Sequence, residues 1–146
     1  MITLQFTGTD TWASDTVGWY TRSVFTHVDV VLDDGRLLGA RINGGVQIRP
    51  RDYQKILFVQ RYRTTLSVAG EHDFHLALLE QIGKPYDWTA VLGLVMNRNW
   101  RQTDRWFCSE LVAWAFEKAG TPLLRVDNND KVTPRDLTTS LLLFPL

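Results

Sequence analysis

Between residues 25 and 62 short apolar runs alternate with turn signals. Phe25-Thr26-His27-Val28-Asp29-Val30-Val31-Leu32 is rich in β-branched residues and reads as a strand. Its period of two puts His27 and Asp29 on one face and Val28 and Val30 on the other. Asp33-Asp34-Gly35 is a strong turn signal, and Arg36 to Ile42 reads as the returning strand. Asn43-Gly44-Gly45 makes a second turn, followed by a third strand, Val46 to Arg49, closed by Pro50. Lys55 to Tyr62 reads as a fourth. Consecutive strands joined by tight turns predict an antiparallel meander.

The second half changes to a helical period. Ser67 is positioned to cap a helix running to Ile82, with Leu76, Leu79 and Ile82 on one side and Gly83 as its stop. The clearest helix begins near Cys108 and ends at Gly120, with Leu111, Val112, Ala115 and Ala119 on the face of Cys108. Thr133-Pro134 opens a short helix over residues 134–141. Two further helices are expected, over residues 14–22 with Ser14 or Asp15 as N-cap, and around Trp88 to Met96. Strands that are not interleaved with long helices predict an α+β fold. There is no internal repeat, low-complexity tract or linker, so one domain is expected over residues 1–146.

Composition narrows the function classes. Lys plus Arg and Asp plus Glu number 16 each, so no global field draws the chain to nucleic acid or an anionic membrane. Arg is dense over residues 49–63 and 98–105, but acidic residues lie nearby, and both stretches read as solvated faces and ion pairs. Six Trp, four Tyr and seven Phe suffice for an aromatic core or a lined groove, with Trp100, Trp106 and Trp114 as walls. The single cysteine excludes an intramolecular disulfide and a cysteine-based zinc cluster, and fits a reducing compartment. The first residues lack a basic segment followed by an apolar run, so no secretory signal is expected. No stretch approaches the roughly 18 apolar residues of a membrane span. The expectation is a cytoplasmic protein, or one delivered by a phage or mobile element, with no cofactor, no metal and no nucleic-acid partner.

Two residues carry candidate chemistry. Cys108 stands where the clearest helix begins, and a helix N-terminus offers partial positive charge and free N–H groups. Both would lower the thiol's pKa and hold an oxyanion. His27, mid-strand, could act as its base. Each has a plainer reading. A lone cysteine is often a small buried apolar group, and a strand histidine is often satisfied by a backbone carbonyl. His72 and His75, among polar residues of a helix, read as surface.

The surrounding segments change the weight of this pair. Phe25 to Leu32, Asp34-Gly35, Gly39-Ala40-Arg41 and Gly44-Gly45-Val46 together resemble the histidine-bearing hairpin of the circularly permuted NlpC-type papain-like superfamily. Gly83-Lys84-Pro85-Tyr86-Asp87-Trp88 is similar to that superfamily's Gly-x-x-Tyr-Asp segment. Phe107-Cys108-Ser109-Glu110-Leu111-Val112 resembles the Cys-Ser-Glu-Leu helix start of its YiiX-like branch, to which the lecithin–retinol acyltransferases are more distantly related. The segments run in the permuted order, histidine before cysteine.

The resemblance implies a permuted papain-like fold with the catalytic Cys at a helix N-terminus. It implies a thiol hydrolase of amidase or peptidase type, working through a thioester on a peptide-like or acyl-containing substrate. Cys108 would be nucleophile and His27 base. Tyr86 and Ser109 would stand near the substrate or oxyanion, and Glu110 would complement the helix dipole. Relatives carry a polar residue, His or Glu, that orients the catalytic imidazole at a place occupied here by Gly39. Across a turn at residues 33–35, position 39 falls opposite Asp29, which is positioned to supply the missing group. Arg41 then falls opposite His27, an awkward charge for an imidazolium. Two alternatives stay open: a catalytically silent papain-like domain that binds a peptide, lipid or protein partner, and a lipid acyltransferase or thioesterase.

Overall fold

A computed structural model describes residues 1–9, 22–87, 105–125 and 132–146. Its elements are β1 (Ile2–Thr9), β2 (His27–Val31), β3 (Leu37–Arg41), β4 (Gly45–Arg49), β5 (Ile56–Thr64), α1 (Val68–Glu80), α2 (Cys108–Lys118), α3 (Pro134–Thr138) and β6 (Phe144–Pro145). The expected helices over 14–22 and around Trp88 to Met96, and Trp100, lie outside the described residues.

The strands form one antiparallel sheet in the order β4-β3-β2-β1-β5-β6. The expected turns are present. Gly35 takes a φ of 81° while the Asp34 carboxylate accepts from the Arg36 N–H at 3.0 Å. Gly44 and Gly45, at φ of 93° and 65°, turn β3 into β4. One expectation is corrected: β2, β3 and β4 form a meander, but β5 does not continue it. β5 pairs with β1, and β1 pairs with β2 on its other edge. Ile2-Thr3-Leu4-Gln5-Phe6-Thr7 alternates apolar and polar residues, which suits a strand buried on one face.

That alternation gives the sheet two unlike faces. Leu4, Phe6, Val28, Val30, Leu38, Ala40 and Val46 belong to one buried apolar cluster with Phe74 and Leu78 of α1 and Leu111, Val112, Ala115 and Phe116 of α2. The Phe74 and Phe116 rings meet at 4.6 Å between centroids. The other face is polar: Gln5 and Thr7 of β1 stand in register with Asp29 and His27 of β2, and all four are buried.

Two helix details bear on the sequence reading. Ser67 caps α1, its hydroxyl accepting from the Gly70 N–H at 3.1 Å. The face α1 buries is Phe74, Ala77 and Leu78, whereas Leu76, Leu79 and Ile82, which share the other side, are exposed, a correction of the expected inward side. Phe74 is the bulkiest apolar residue of that helix, and the core is built around it. Thr133 and Asp136 close a capping box on α3. Among the described residues, no helix is long and apolar enough to cross a membrane.

Candidate functional site

Cys108 is the first residue of α2, with Phe107 as an N-cap that makes no side-chain bond. The preceding segment is fixed by backbone pairing. Gly83 donates to the Val46 carbonyl (2.9 Å) and Val46 to Lys84 (2.9 Å). Trp106 donates to Pro85 (3.1 Å) and Asp87 to Trp106 (3.1 Å). The Gly83–Tyr86 segment is thereby stitched between the edge of β4 and the residues that lead into α2. Gly45 makes this approach possible, since a Cβ there would stand 2.1 Å from the Lys84 carbonyl oxygen. Tyr86 is buried, its ring 5.9 Å from that of Phe107.

β2 meets α2 at the cysteine. The β2–β3 ladder is formed at Val30↔Leu38 and Val31↔Leu37. Nearer the start of β2, the backbone N–H groups of Val28 and Ser109 favour the Cys108 thiolate. His27 is the chain neighbour of Val28. The Ser109 hydroxyl is engaged elsewhere, donating to the Val132 carbonyl, so the backbone N–H of Ser109, and not its side chain, serves the site. Glu110 is buried in the first turn of α2.

His27 and Asp29, two apart on one strand, share the polar face, and His27 Nε2 lies 2.9 Å from Asp29 Oδ1. The Tyr53 hydroxyl donates to Asp29 Oδ2 at 3.0 Å. Gly39 has a physical reason to lack a side chain: a Cβ there would stand 2.1 Å from Asp29 Oδ1. The Asp29 carboxylate fills the space that a residue at position 39 would otherwise use. Arg41 reaches His27 as expected, its Nε 3.2 Å from Nε2. One nitrogen cannot donate to Asp29 and accept from Arg41 at once. The shorter, charge-assisted bond to Asp29 defines the tautomer, with the proton on Nε2 and the lone pair on Nδ1.

Burial lowers the His27 pKa, and the Asp29 charge, which raises it, does not compensate, with Arg41 adding to the lowering. Burial pushes the Asp29 carboxyl up, but His27, Arg41 and the Tyr53 hydroxyl outweigh it and hold it below its ordinary value. Near neutral pH the pair is a neutral imidazole beside a carboxylate. The thiol departs from expectation. Cys108 is 1% exposed, and burial pushes it up to about 12, with the N–H groups of Val28 and Ser109 pulling the other way. Desolvation of the thiolate outweighs the helix start, so the resting group is a neutral thiol.

Sequence reasoning missed several members of this region. Arg49 does not lie on a solvated face: it is buried and donates to the carbonyls of Gly39 (3.1 Å) and Gly45 (2.9 Å). The Arg41 and Arg49 guanidinium carbons stand 4.7 and 5.5 Å from the Tyr53 ring centre. Tyr53 and Gln54 sit in the loop after Pro50, and nothing in their local pattern points to the sheet face. As expected, His72 is exposed, whereas His75 is half-buried and bonds through Nδ1 to the Glu71 carbonyl oxygen at 2.8 Å.

No protein-family model and no curated protein matches this sequence. Among solved structures, the chain is similar to YiiX from Escherichia coli O157:H7, described there as a metalloprotein. The two are 18% identical with a TM-score of 0.74, and the match covers 99% of this chain and 94% of that one. At that identity the likeness is one of fold, and the α+β architecture of this chain is a YiiX-like fold.

Proposed function

We propose that the protein is a cysteine hydrolase of amidase or peptidase type on a permuted papain-like fold, with Cys108 as nucleophile and His27 as base. The observation that carries this reading is the Asp29–His27 bond at 2.9 Å, on the strand where the neighbouring Val28 N–H favours the Cys108 thiolate. Asp29 accepts the hydrogen bond of Nε2–H and leaves Nδ1 as the basic nitrogen, the tautomer a general base requires. Nδ1 removes the Cys108 proton as sulfur attacks the carbonyl carbon of an amide or ester. The negative charge moves to the carbonyl oxygen, which the N–H groups at the start of α2 and the Tyr86 hydroxyl are suited to hold. Collapse of the tetrahedral species expels the amine or alcohol, which takes the proton from imidazolium. Water then releases the acid from the thioester, with His27 again as base. Since the resting thiol is neutral, proton transfer accompanies attack and does not precede it.

The neighbouring YiiX is described as a metalloprotein, so a metal is worth testing against the donors present. Among the described residues no three His, Cys, Asp or Glu side chains converge on one point. At His27 and Asp29 a cation would also face the Arg41 guanidinium, 3.2 Å from Nε2. This donor set does not fit a metal, and the proposed reaction uses none.

A second reading is favoured by the buried, neutral Cys108: a catalytically silent domain that binds a peptide, lipid or protein partner. A panel of peptide amides and acyl esters separates the two. Turnover that is lost in Cys108→Ala and strongly reduced in His27→Ala supports the hydrolase. A Cys108→Ala protein with full activity on a turned-over substrate contradicts it.

A further inference from the structure

The polar face of the sheet holds more donors than the fold uses. Arg61 donates to Gln5 Oε1 through Nε (3.0 Å) and Nη2 (2.8 Å), which fixes the amide and turns Gln5 Nε2 away. Arg41 Nη1 donates to Gln54 Oε1 and fixes Gln54 Nε2 as a donor in the same way. Four polar atoms then lie shut from solvent: Gln5 Nε2, Thr7 Oγ1, Arg41 Nη2 and Gln54 Nε2. None has a hydrogen-bond partner among the described residues. Three of the four can only donate. Buried donors left unmade cost free energy, and native folds seldom carry several together without a reason.

Their placement is not scattered. Thr7 and Gln5, each 1% exposed, stand in register with His27 and Asp29 on the β1 side. Arg41 reaches His27 from the β3 side and holds Gln54 in the loop above it. The donors thus flank the imidazole on both edges of β2. On this face of the sheet Arg41, Arg49 and Arg61 stand beside the Asp29 carboxylate, which Tyr53 and His27 already occupy. Gln54 Oε1 shows what the guanidinium donates to, a carbonyl-type oxygen.

We propose that Arg41 and Gln54, backed by Thr7 and Gln5, form a subsite for a carboxylate of the substrate. The substrate is then an amide or peptide with a free carboxylate near the scissile bond, not a neutral lipid ester. This deepens the hydrolase reading and rests on it. Arg41 and Gln54 are joined through Nη1 and Oε1 and each keeps a free donor, Nη2 and Nε2, a pair that suits the two oxygens of a planar carboxylate better than a tetrahedral phosphate. Its arrival also draws the guanidinium toward the anion and leaves Asp29 as the partner of Nε2.

The test is a titration of the isotope-labelled full chain with N-acetylglycine, with N-acetylglycinamide and with inorganic phosphate, following side-chain amide resonances of Gln54 and Gln5 by NMR. The expected result is saturable shifts with N-acetylglycine, binding about tenfold tighter than its amide, and a loss of about tenfold in Gln54→Leu. Arg41→Gln gives a second variant on the same contact and is expected to abolish the preference. Equal binding of acid and amide, tighter binding of phosphate, or shifts insensitive to both variants would overturn the subsite. The same titration in Cys108→Ala separates the two proposals. Retained preference for the acid there upholds the subsite even if no substrate is ever hydrolysed. Hydrolysis that depends on Cys108 but ignores the carboxylate removes the subsite and leaves the hydrolase standing.

Discussion

The chemistry of this site rests on one carboxylate placed where sequence alone made it a substitute. Asp29 touches His27 and Tyr53, and those partners hold its charge against burial, so in the proposed reaction it acts on the imidazole by orientation. Asp29→Asn is therefore expected to reduce kcat/KM by at least about a hundredfold while the fold is kept, because an amide can present its NH2 to Nε2 and select the wrong tautomer. Unchanged kinetics in that variant would remove Asp29 from the mechanism. The pairing of His27 with Asp29 was legible from a strand period of two. The protonation state of Cys108 was not. Its position at a helix start suggests a thiolate, but burial depends on what long-range packing lays over the sulfur, and here that term is larger.

At the scale of elements, adjacent strands share one functional position. A side chain at 39 would occupy the space of the Asp29 carboxylate, so Gly39→Ala must displace it. The expected cost is about 1–3 kcal/mol by urea unfolding, with a loss of activity. The same geometry predicts a rescue. Asp29→Ala should lose activity, and Asp29→Ala with Gly39→Asp should recover part of it, by at least about tenfold in kcat/KM. A double variant no better than Asp29→Ala would show that the two strands do not present the imidazole equivalently. Thr133→Ala removes the capping box of α3 and is expected to cost about 1 kcal/mol, read as a lower urea midpoint. The hairpin, the caps and the Cys108 helix were legible because each is signalled by local residues. The central place of β1 was not, because pairing order is decided across the whole sheet. The buried face of α1 follows Phe74 rather than the leucines, since the largest apolar group sets the rotation of a helix whose apolar residues are spread widely around it.

The molecule as a whole carries His27 and Asp29 in a buried polar layer and Cys108 in the apolar cluster, and its stability should record the burial of the titratable pair in its pH dependence. The folded-state pKa of His27 is depressed below the ordinary 6.5, and so is that of the half-buried His75. The unfolded chain therefore binds more protons than the native one as pH falls through that value, and stability declines. Asp29, held below its ordinary 3.8, adds stability that is present above that value and lost as pH falls through its folded pKa. Urea midpoints should thus drop from pH 7 to 5 and drop further below about 4. His27→Asn should shrink the first step without removing it, because His75 remains. An unaltered first step would mean that His27 is not held neutral in the fold. The central claim, nucleophilic attack by Cys108 assisted by His27, is tested most directly by intact-mass spectrometry during a single turnover of an activated acyl ester. The account predicts a transient acyl adduct on Cys108, absent in Cys108→Ala and formed at least about a hundredfold more slowly in His27→Ala. No adduct on Cys108, or equal rates with and without the imidazole, would contradict it.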